Sequence, residues 1–520
     1  MRDRPAEASP ALPADERSAG RAWPELSPTN LAAVGVFLLA LAIYLRTMLP
    51  GVSFGDWAEM QWIPARLGVT HPTGYPLYVL LGKAFSLLPF GSLAYRADLL
   101  SAVAGAGAAS SAVLIAQRLG ARPVVAAMGG LALALTGTLW LEATFSEMNG
   151  LHLLLVGLII HRALIWRDEQ RDRDLRIGAL LCGLAIANHP LSVTVISVVV
   201  VFVVAIGWRR LVERPVLLVQ AGLLVLFGLS CYALIPLRAL AGPSAIYGSL
   251  QTWDGFLGLV SGAQFRRDMH FGTAASLVAA RDAIPVIFNQ LRDRSNLVFV
   301  VGGLAGGVTL AVRDRWAAGL LIGLAVVNVY FFANYIGNLD HYLLLTWLIL
   351  AVLLAVAAEA VVGAIEELSE ALATVAAVLL LALPLAIGAA NWTSHDQGAN
   401  REGERFAATV FAALPKDAVL LTYWDALTNL SYVHCVDGVR PDLTLIAYDS
   451  AAKVTCDGSP GDLAAVARHR PVFALFVFAG DVEPLRRSFD LVPGPTLRLP
   501  YGGRGLDHSG VLYRLQPPGP

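Results

Sequence analysis

Asp56 and Glu59 stand three residues apart in the stretch 49–98, which lies between two apolar runs and is neither a span nor an ordinary polar loop. On a helix this spacing puts both carboxylates on one face, aimed at one point. A carboxylate held over a hydroxyl can take its proton as the hydroxyl attacks a sugar carbon. The same spacing also fits a capping box, in which Asp56 would only satisfy backbone N–H groups at a helix start, for about 1 kcal/mol. Spacing alone leaves both readings open. The turn His71-Pro72-Thr73-Gly74-Tyr75-Pro76 comes next, followed by an amphipathic run from Leu77 to Leu88 that is too short to cross a bilayer.

More candidates lie at the ends of apolar runs. A second carboxylate-bearing turn carries Glu142 and Glu147, His189 sits in Asn188-His189-Pro190, and Asp340 precedes His341. Each histidine read singly is as well explained as a helix-end residue. Arg238, just past an apolar run, either snorkels to the interface or offers its forked donors to a lipid phosphate. Asp172-Arg173-Asp174 matches a metal-binding DxD motif, but it sits in a short basic turn and is read as solvated.

The elements that must position these groups are membrane helices. Of 520 residues, 56% are hydrophobic and 15% charged, against about 25% charged in soluble proteins. Apolar runs between residues 31 and 390 predict a polytopic α-helical membrane protein with about eleven spans. Basic turns at 118–122, 167–176, 208–214 and 313–315 should stay cytoplasmic together with a disordered N-terminus, 1–29. The opposite, extracytoplasmic face then receives the loops 49–94 and 238–295, Glu142, Glu147, His189, Arg238, Asp340 and His341. It also receives the tail, 391–520, where AVLLTY, LTLIAY and PVFALFVF alternate with helix-like stretches and predict a small α/β domain. Cys435 and Cys456 could pair there. A net charge of -1 and the lack of a basic tract argue against nucleic acid, and no phosphate-binding glycine loop or Cys/His metal spacing occurs. A transporter would be expected to hold its ionisable groups near the midplane, whereas here they gather on one face.

These residues resemble the GT-C glycosyltransferases, and within them the branch of the eukaryotic transmembrane O-mannosyltransferase of plexin-type receptors. The family pattern D-S-G-E, then L-G-x-x-H-P-P-G-Y-P-L, is met by Asp56-Trp57-Ala58-Glu59 and by Leu67-Gly68-Val69-Thr70-His71-Pro72-Thr73-Gly74-Tyr75-Pro76-Leu77. Tyr95-Arg96-x-Asp98-Leu99-Leu100-Ser101, Glu147, Gly183-Leu184 leading to His189, Ile235-Pro236-Leu237-Arg238, Trp253-Asp254-Gly255-Phe256, Asp340-His341-Tyr342 and Gly438-Val439-Arg440-Pro441-Asp442 continue the match. Trp57-Ala58 in place of Ser-Gly, and Thr73 in place of Pro, are departures that bear on substrate identity more than on reaction class.

The resemblance implies an inverting transfer of a sugar, mannose being one candidate, from a polyprenyl-phosphate carrier to an extracytoplasmic acceptor in a bacterial plasma membrane. The acceptor would be protein, lipid or polysaccharide. Asp56 would be the base, with Glu59 and Glu147 supporting it. Arg238 and His341 would hold the carrier phosphate, and His71, Tyr75, His189 and Asp340 would line the substrate site. The resemblance fixes no cofactor and leaves a divalent metal as a candidate: some relatives bind one at their carboxylates and others do not. The rival reading is a non-enzymatic flippase, transporter or scaffold for lipid-linked sugars.

Overall fold

The computed structural model describes residues 28–517 apart from 243–244, 249, 251, 270, 272–277, 279–280, 282–293, 336–339, 449–451, 458–461 and 502–504. The N-terminal tail expected to be disordered, and much of the second half of the 238–295 loop, therefore lie outside the described residues.

The protein is an integral multi-pass helical membrane protein with a small sheet unit at its C-terminal end. In chain order the first helices are α1 (Pro28–Thr47), α2 (Gly55–Trp62), α3 (Pro76–Ser86), α4 (Leu93–Arg118), α5 (Pro123–Ala134), α6 (Gly137–Thr144), α7 (Asn149–Glu169), α8 (Asp172–Asn188), α9 (Ser192–Glu213), α10 (Pro215–Leu229), α11 (Leu234–Ala241) and α12 (Trp253–Val260). Long helices follow at Arg294–Arg313, Arg315–Ala333, Leu344–Glu366, Glu370–Leu379 and Ala382–His395. Among the described residues nine helical stretches are long and apolar enough to cross a membrane, and the pair α5–α6, bent by 66°, makes a tenth. At that bend Thr136 bonds back to Leu133 O and caps Leu139 N, so its hydroxyl competes with the helix ladder. The remaining expected span is α8, whose 17 residues rise about 26 Å, near the lower limit for crossing.

The basic turns converge at one end of the bundle through ion pairs. Arg118 meets Asp168 and Glu169, Arg167 meets Asp314, and Arg122 meets Glu359 and Glu366. The DxD turn belongs here: Asp172 pairs with Arg210 and Arg214, and Asp174 with Arg162 and Arg171. These carboxylates are spent on neighbouring arginines.

The opposite end carries α2, α3 and the tail. A five-stranded sheet has the order β3-β2-β5-β7-β6, built from β2 (Val419–Thr422), β3 (Thr444–Ala447), β5 (Val472–Leu475), β6 (Asp490–Leu499) and β7 (His508–Gln516). β2 runs parallel to both β3 and β5, while β7 is antiparallel to β5 and β6. The three expected strands and one of the helix-like stretches, Trp424–Cys435, form, but the stretch before β5 yields only the short turn Leu463–Val466. β6 holds two prolines and a register shift between Pro493 and Thr496, which an edge strand tolerates and which hides it from pattern reading. Cys435 and Cys456 form a disulfide.

The tail is fastened to the loop 49–94. One apolar cluster runs from Val52, Phe54, Ala58 and Trp62 to Phe406, Leu427, Leu430 and Tyr432. β1 (Ala245–Tyr247) pairs antiparallel with β4 (Ala452–Val454), tying the loop 238–295 to the tail as well. Asn429 donates to Ser53 O at 2.7 Å, and Ala94 N donates to the Tyr432 hydroxyl at 3.0 Å.

Candidate active site

Helix α2 begins at Gly55, and its N-cap is Phe54, which makes no side-chain cap bond. Asp56 is therefore inside the first turn rather than at the cap, and the capping-box reading fails on geometry. Its carboxylate does something else. Oδ1 accepts the indole N–H of Trp424 at 2.6 Å, Oδ2 lies 3.9 Å from His71 Nε2, and half of the side chain is exposed. Glu59, one turn on, is fully buried and grips His71 twice. Its Oε1 accepts the His71 backbone N–H at 2.9 Å, and its Oε2 lies 2.5 Å from Nδ1.

The turn that carries His71 is closed by Gly74 N donating to His71 O at 2.8 Å, and Gly74 has a φ of 81°. A Cβ at Gly74 would lie 2.8 Å from Ile235 Cδ1, so glycine is required twice over. Tyr75 donates to Pro72 O at 3.0 Å and meets the His71 ring edge-on at 5.1 Å. Behind it stands His189, 5.6 Å from Tyr75 and 5.4 Å from His152.

Charges follow from this packing. Burial works against a cation at His71, yet the Asp56 and Glu59 carboxylates outweigh it and hold the imidazole up to about 10. Burial pushes Glu59 up, with His71 opposing. Burial also pushes Glu147 up, reinforced by Glu142 and Asp56. His189 goes the other way: burial, with His152 and His341 nearby, holds it well below its ordinary value and keeps it neutral.

Glu147 and Glu142 share the Asn149 amide, at 3.3 and 3.0 Å, and His341 Nδ1 lies 3.6 Å from Glu142. Asp340 precedes His341 in a short 3-10 turn at the start of its span. Thus Asp56, Glu59, His71 and Tyr75 meet directly, His189 stands behind them, and Glu147 and His341 form an adjoining cluster. Arg238 is engaged elsewhere. Its Nε and Nη2 donate to Leu67 O and Arg66 O, at 2.8 and 3.2 Å, bracing the turn that ends α2.

A divalent ion at Asp56, Glu59 and His71 would find ligand atoms within 4.8 Å of one another. Glu59 is already committed to His71 through both oxygens, so Asp56 Oδ2 and His71 Nε2 are the donors left for a cation. A second trio, His434, Cys456 and Asp457, has its sulfur in the disulfide.

Three positioning residues carry no signal in spacing alone. Asp98 accepts both Gln61 Nε2, at 3.1 and 3.2 Å, and Ser146 Oγ at 2.5 Å. Gln61 in turn accepts Ser53 N and donates to Gly51 O, which fixes the start of α2. Ser101 accepts Glu147 N at 2.8 Å. One face of α4 therefore sets both carboxylate turns. Asp98 and Ser101 were visible only as members of the Tyr95–Ser101 motif.

A family profile described as the "Protein O-mannosyl-transferase TMEM260 N-terminal domain" matches residues 56–211. The chain is 26% identical over 460 residues to the mouse protein O-mannosyl-transferase TMEM260, covering 82% of this chain and 64% of that one. A Dictyostelium discoideum protein O-mannosyl-transferase is 21% identical over 471 residues, covering 81% and 57%. The chain thus spans less than two thirds of the length of these relatives. Among solved structures, ArnT from Cupriavidus metallidurans bound to undecaprenyl phosphate superposes with a TM-score of 0.62 at 13% identity, over 93% of this chain and 97% of that one. Its apo form gives a TM-score of 0.58 at the same coverage. The likeness to ArnT is one of fold. The resemblance to the GT-C glycosyltransferases, in their O-mannosyltransferase branch, is borne out.

Proposed function

We propose that this chain, related as it is to the protein O-mannosyl-transferases, moves a sugar from a polyprenyl-phosphate carrier to an acceptor hydroxyl at the membrane face that bears Asp56. The observation that supports this most is the state of Asp56 itself, half exposed, outside the capping position and held by Trp424 and His71. The acceptor O–H gives its proton to the Asp56 carboxylate as its oxygen bonds to the anomeric carbon. The bond from that carbon to the phosphate oxygen breaks, and polyprenyl phosphate leaves with the electron pair. Attack from the side opposite the leaving group inverts the anomeric centre.

Trp424, donating to Oδ1, and His71, beside Oδ2, hold the carboxylate in place and aim it at the acceptor. Glu59 fixes the imidazole, and Glu147, whose charge burial disfavours, supports the same pocket through the Asn149 amide. Arg238 through Nη1, and His341, are assigned to the carrier phosphate, and Tyr75, His189 and Asp340 to the walls of the donor site. A divalent ion held here would take Asp56 and, once His71 had given up its Nε2 proton, the imidazole as donors, and would screen the charge of the phosphate. The names of the relatives favour mannose as the sugar. The basic end of the bundle would face the cytoplasm, leaving the site and the tail outside.

The test is transfer of labelled mannose from synthetic polyprenyl-phosphate mannose by purified protein in nanodiscs, with membrane and secreted fractions as acceptors. Label should pass from the lipid to an acceptor. A wild-type protein that only equilibrates the labelled lipid between leaflets would sink the proposal in favour of a flippase.

A further inference from the structure

Between the first outer loop and the start of the tail lies a half-open cavity of about 260 Å³, which the reaction above does not use. One part of its wall is aromatic. Trp57, next in the chain to Asp56, stacks on Phe145 with centroids 4.0 Å apart and planes 21° apart. Another part is polar, from His395, Gln397, Asn400 and Glu402. Two of these groups are preset: Asn400 Nδ2 donates to Gln397 Oε1 at 2.8 Å, and Asn400 Oδ1 accepts Glu402 N at 2.9 Å. The Gln397 amide N–H groups and the Glu402 carboxylate remain without a bonding partner among the described residues.

A flat aromatic face beside fixed planar donors and acceptors matches a pyranose ring, which stacks through its C–H face and bonds through hydroxyls around its rim. The volume is below the roughly 300 Å³ at which pockets for larger ligands begin, so it suits one ring. The Glu402 carboxylate opposes an anion, which rules against the carrier phosphate and the sugar attached to it. Trp57 is also where this chain departs from the Ser of the family pattern.

We infer that this cavity seats a neutral pyranose ring of the acceptor, so that the hydroxyl offered to Asp56 is a sugar hydroxyl. The inference rests on the proposed transfer, but its test does not need turnover. Methyl α-mannopyranoside and methyl α-glucopyranoside are titrated into the full-length protein in nanodiscs, without donor, and followed by saturation-transfer NMR. At least one should bind saturably. Trp57→Ser and Glu402→Gln should each weaken it at least tenfold, and Trp57→Phe should restore most of the loss, with the melting temperatures of Glu402→Gln and Trp57→Phe unchanged. In the transfer assay Trp57→Ser should raise the KM of a glycan acceptor at least tenfold and leave the donor KM within about twofold. No glycoside binding to the wild type, equal binding to Trp57→Ser, or a shift in donor KM alone overturns the inference. Binding that depends on Trp57 in a protein that transfers nothing upholds the cavity and removes the proposed function instead.

Discussion

Asp56→Asn separates a structural carboxylate from a chemical one. Asn keeps an oxygen for the Trp424 N–H, so the bond of 2.6 Å survives in neutral form. A charged hydrogen bond contributes about 1.5–3 kcal/mol and a neutral one about 1 kcal/mol. With half of the Asp56 side chain exposed, solvent screens much of that difference, and stability should fall by less than about 1 kcal/mol. The amide cannot accept the acceptor's proton. General base catalysis contributes about 10²–10⁴ in rate, so transfer should drop at least about a hundredfold, or roughly 2.7 kcal/mol of barrier. The assay is initial-rate transfer from synthetic donor at saturating acceptor, with a melting curve on the same preparation. A variant that melts normally and transfers at the wild-type rate would refute the assignment of Asp56 as base.

Other expectations follow from the same geometry. His71 is raised to about 10, so its positive charge contributes stability that is complete below its ordinary value of 6.5 and is lost as pH climbs through 10. If that charge aims Asp56, kcat/KM should fall on an alkaline limb near pH 10, and Glu59→Gln should move the limb down; an unmoved limb would detach His71 from it. Arg238→Ala strips donors from the carbonyls of Arg66 and Leu67 and should cost about 1–3 kcal/mol in a melting experiment, with Arg238→Lys intermediate. Donor affinity measured on the same variant tells whether Nη1 also serves the phosphate, since an unchanged Kd would leave Arg238 as a brace alone. Cys435 and Cys456 in intact cells should resist alkylation until reduced, and a cytosol-dependent reporter fused after Pro520 should stay dark; a reporter that lights up means the spans are miscounted.

Much of the architecture could be read from the chain because it is written locally. A span needs only a run of apolar residues, and every predicted span is a helix here. Asp56, Glu59 and His71 were readable because they share one short stretch and meet one another in the fold. What could not be read is what distance hides. Trp424 reaches Asp56 across 368 residues, and Asp98 reaches Ser146 across 48, with nothing in either spacing to announce the bond. Arg238 shows the opposite difficulty. Its place at a helix end invites a phosphate, but the carbonyls it braces belong to a turn 171 residues earlier. β6 stayed hidden because an edge strand can keep the prolines that strand patterns forbid.

The bond from Trp424 to Asp56 also carries a clock. At about 5–20 residues per second, synthesis takes roughly 20 to 70 s to pass from Asp56 to its indole partner. During that interval the outer loop is already made, but the helix Trp424–Cys435 that will cover its apolar side has not emerged. A chain cut short before Trp424 would own every span and both carboxylates, yet leave the base without its N–H donor and a hydrophobic face bare. On the proposed mechanism such a fragment should transfer no sugar, and its bare apolar face should mark it for proteolysis.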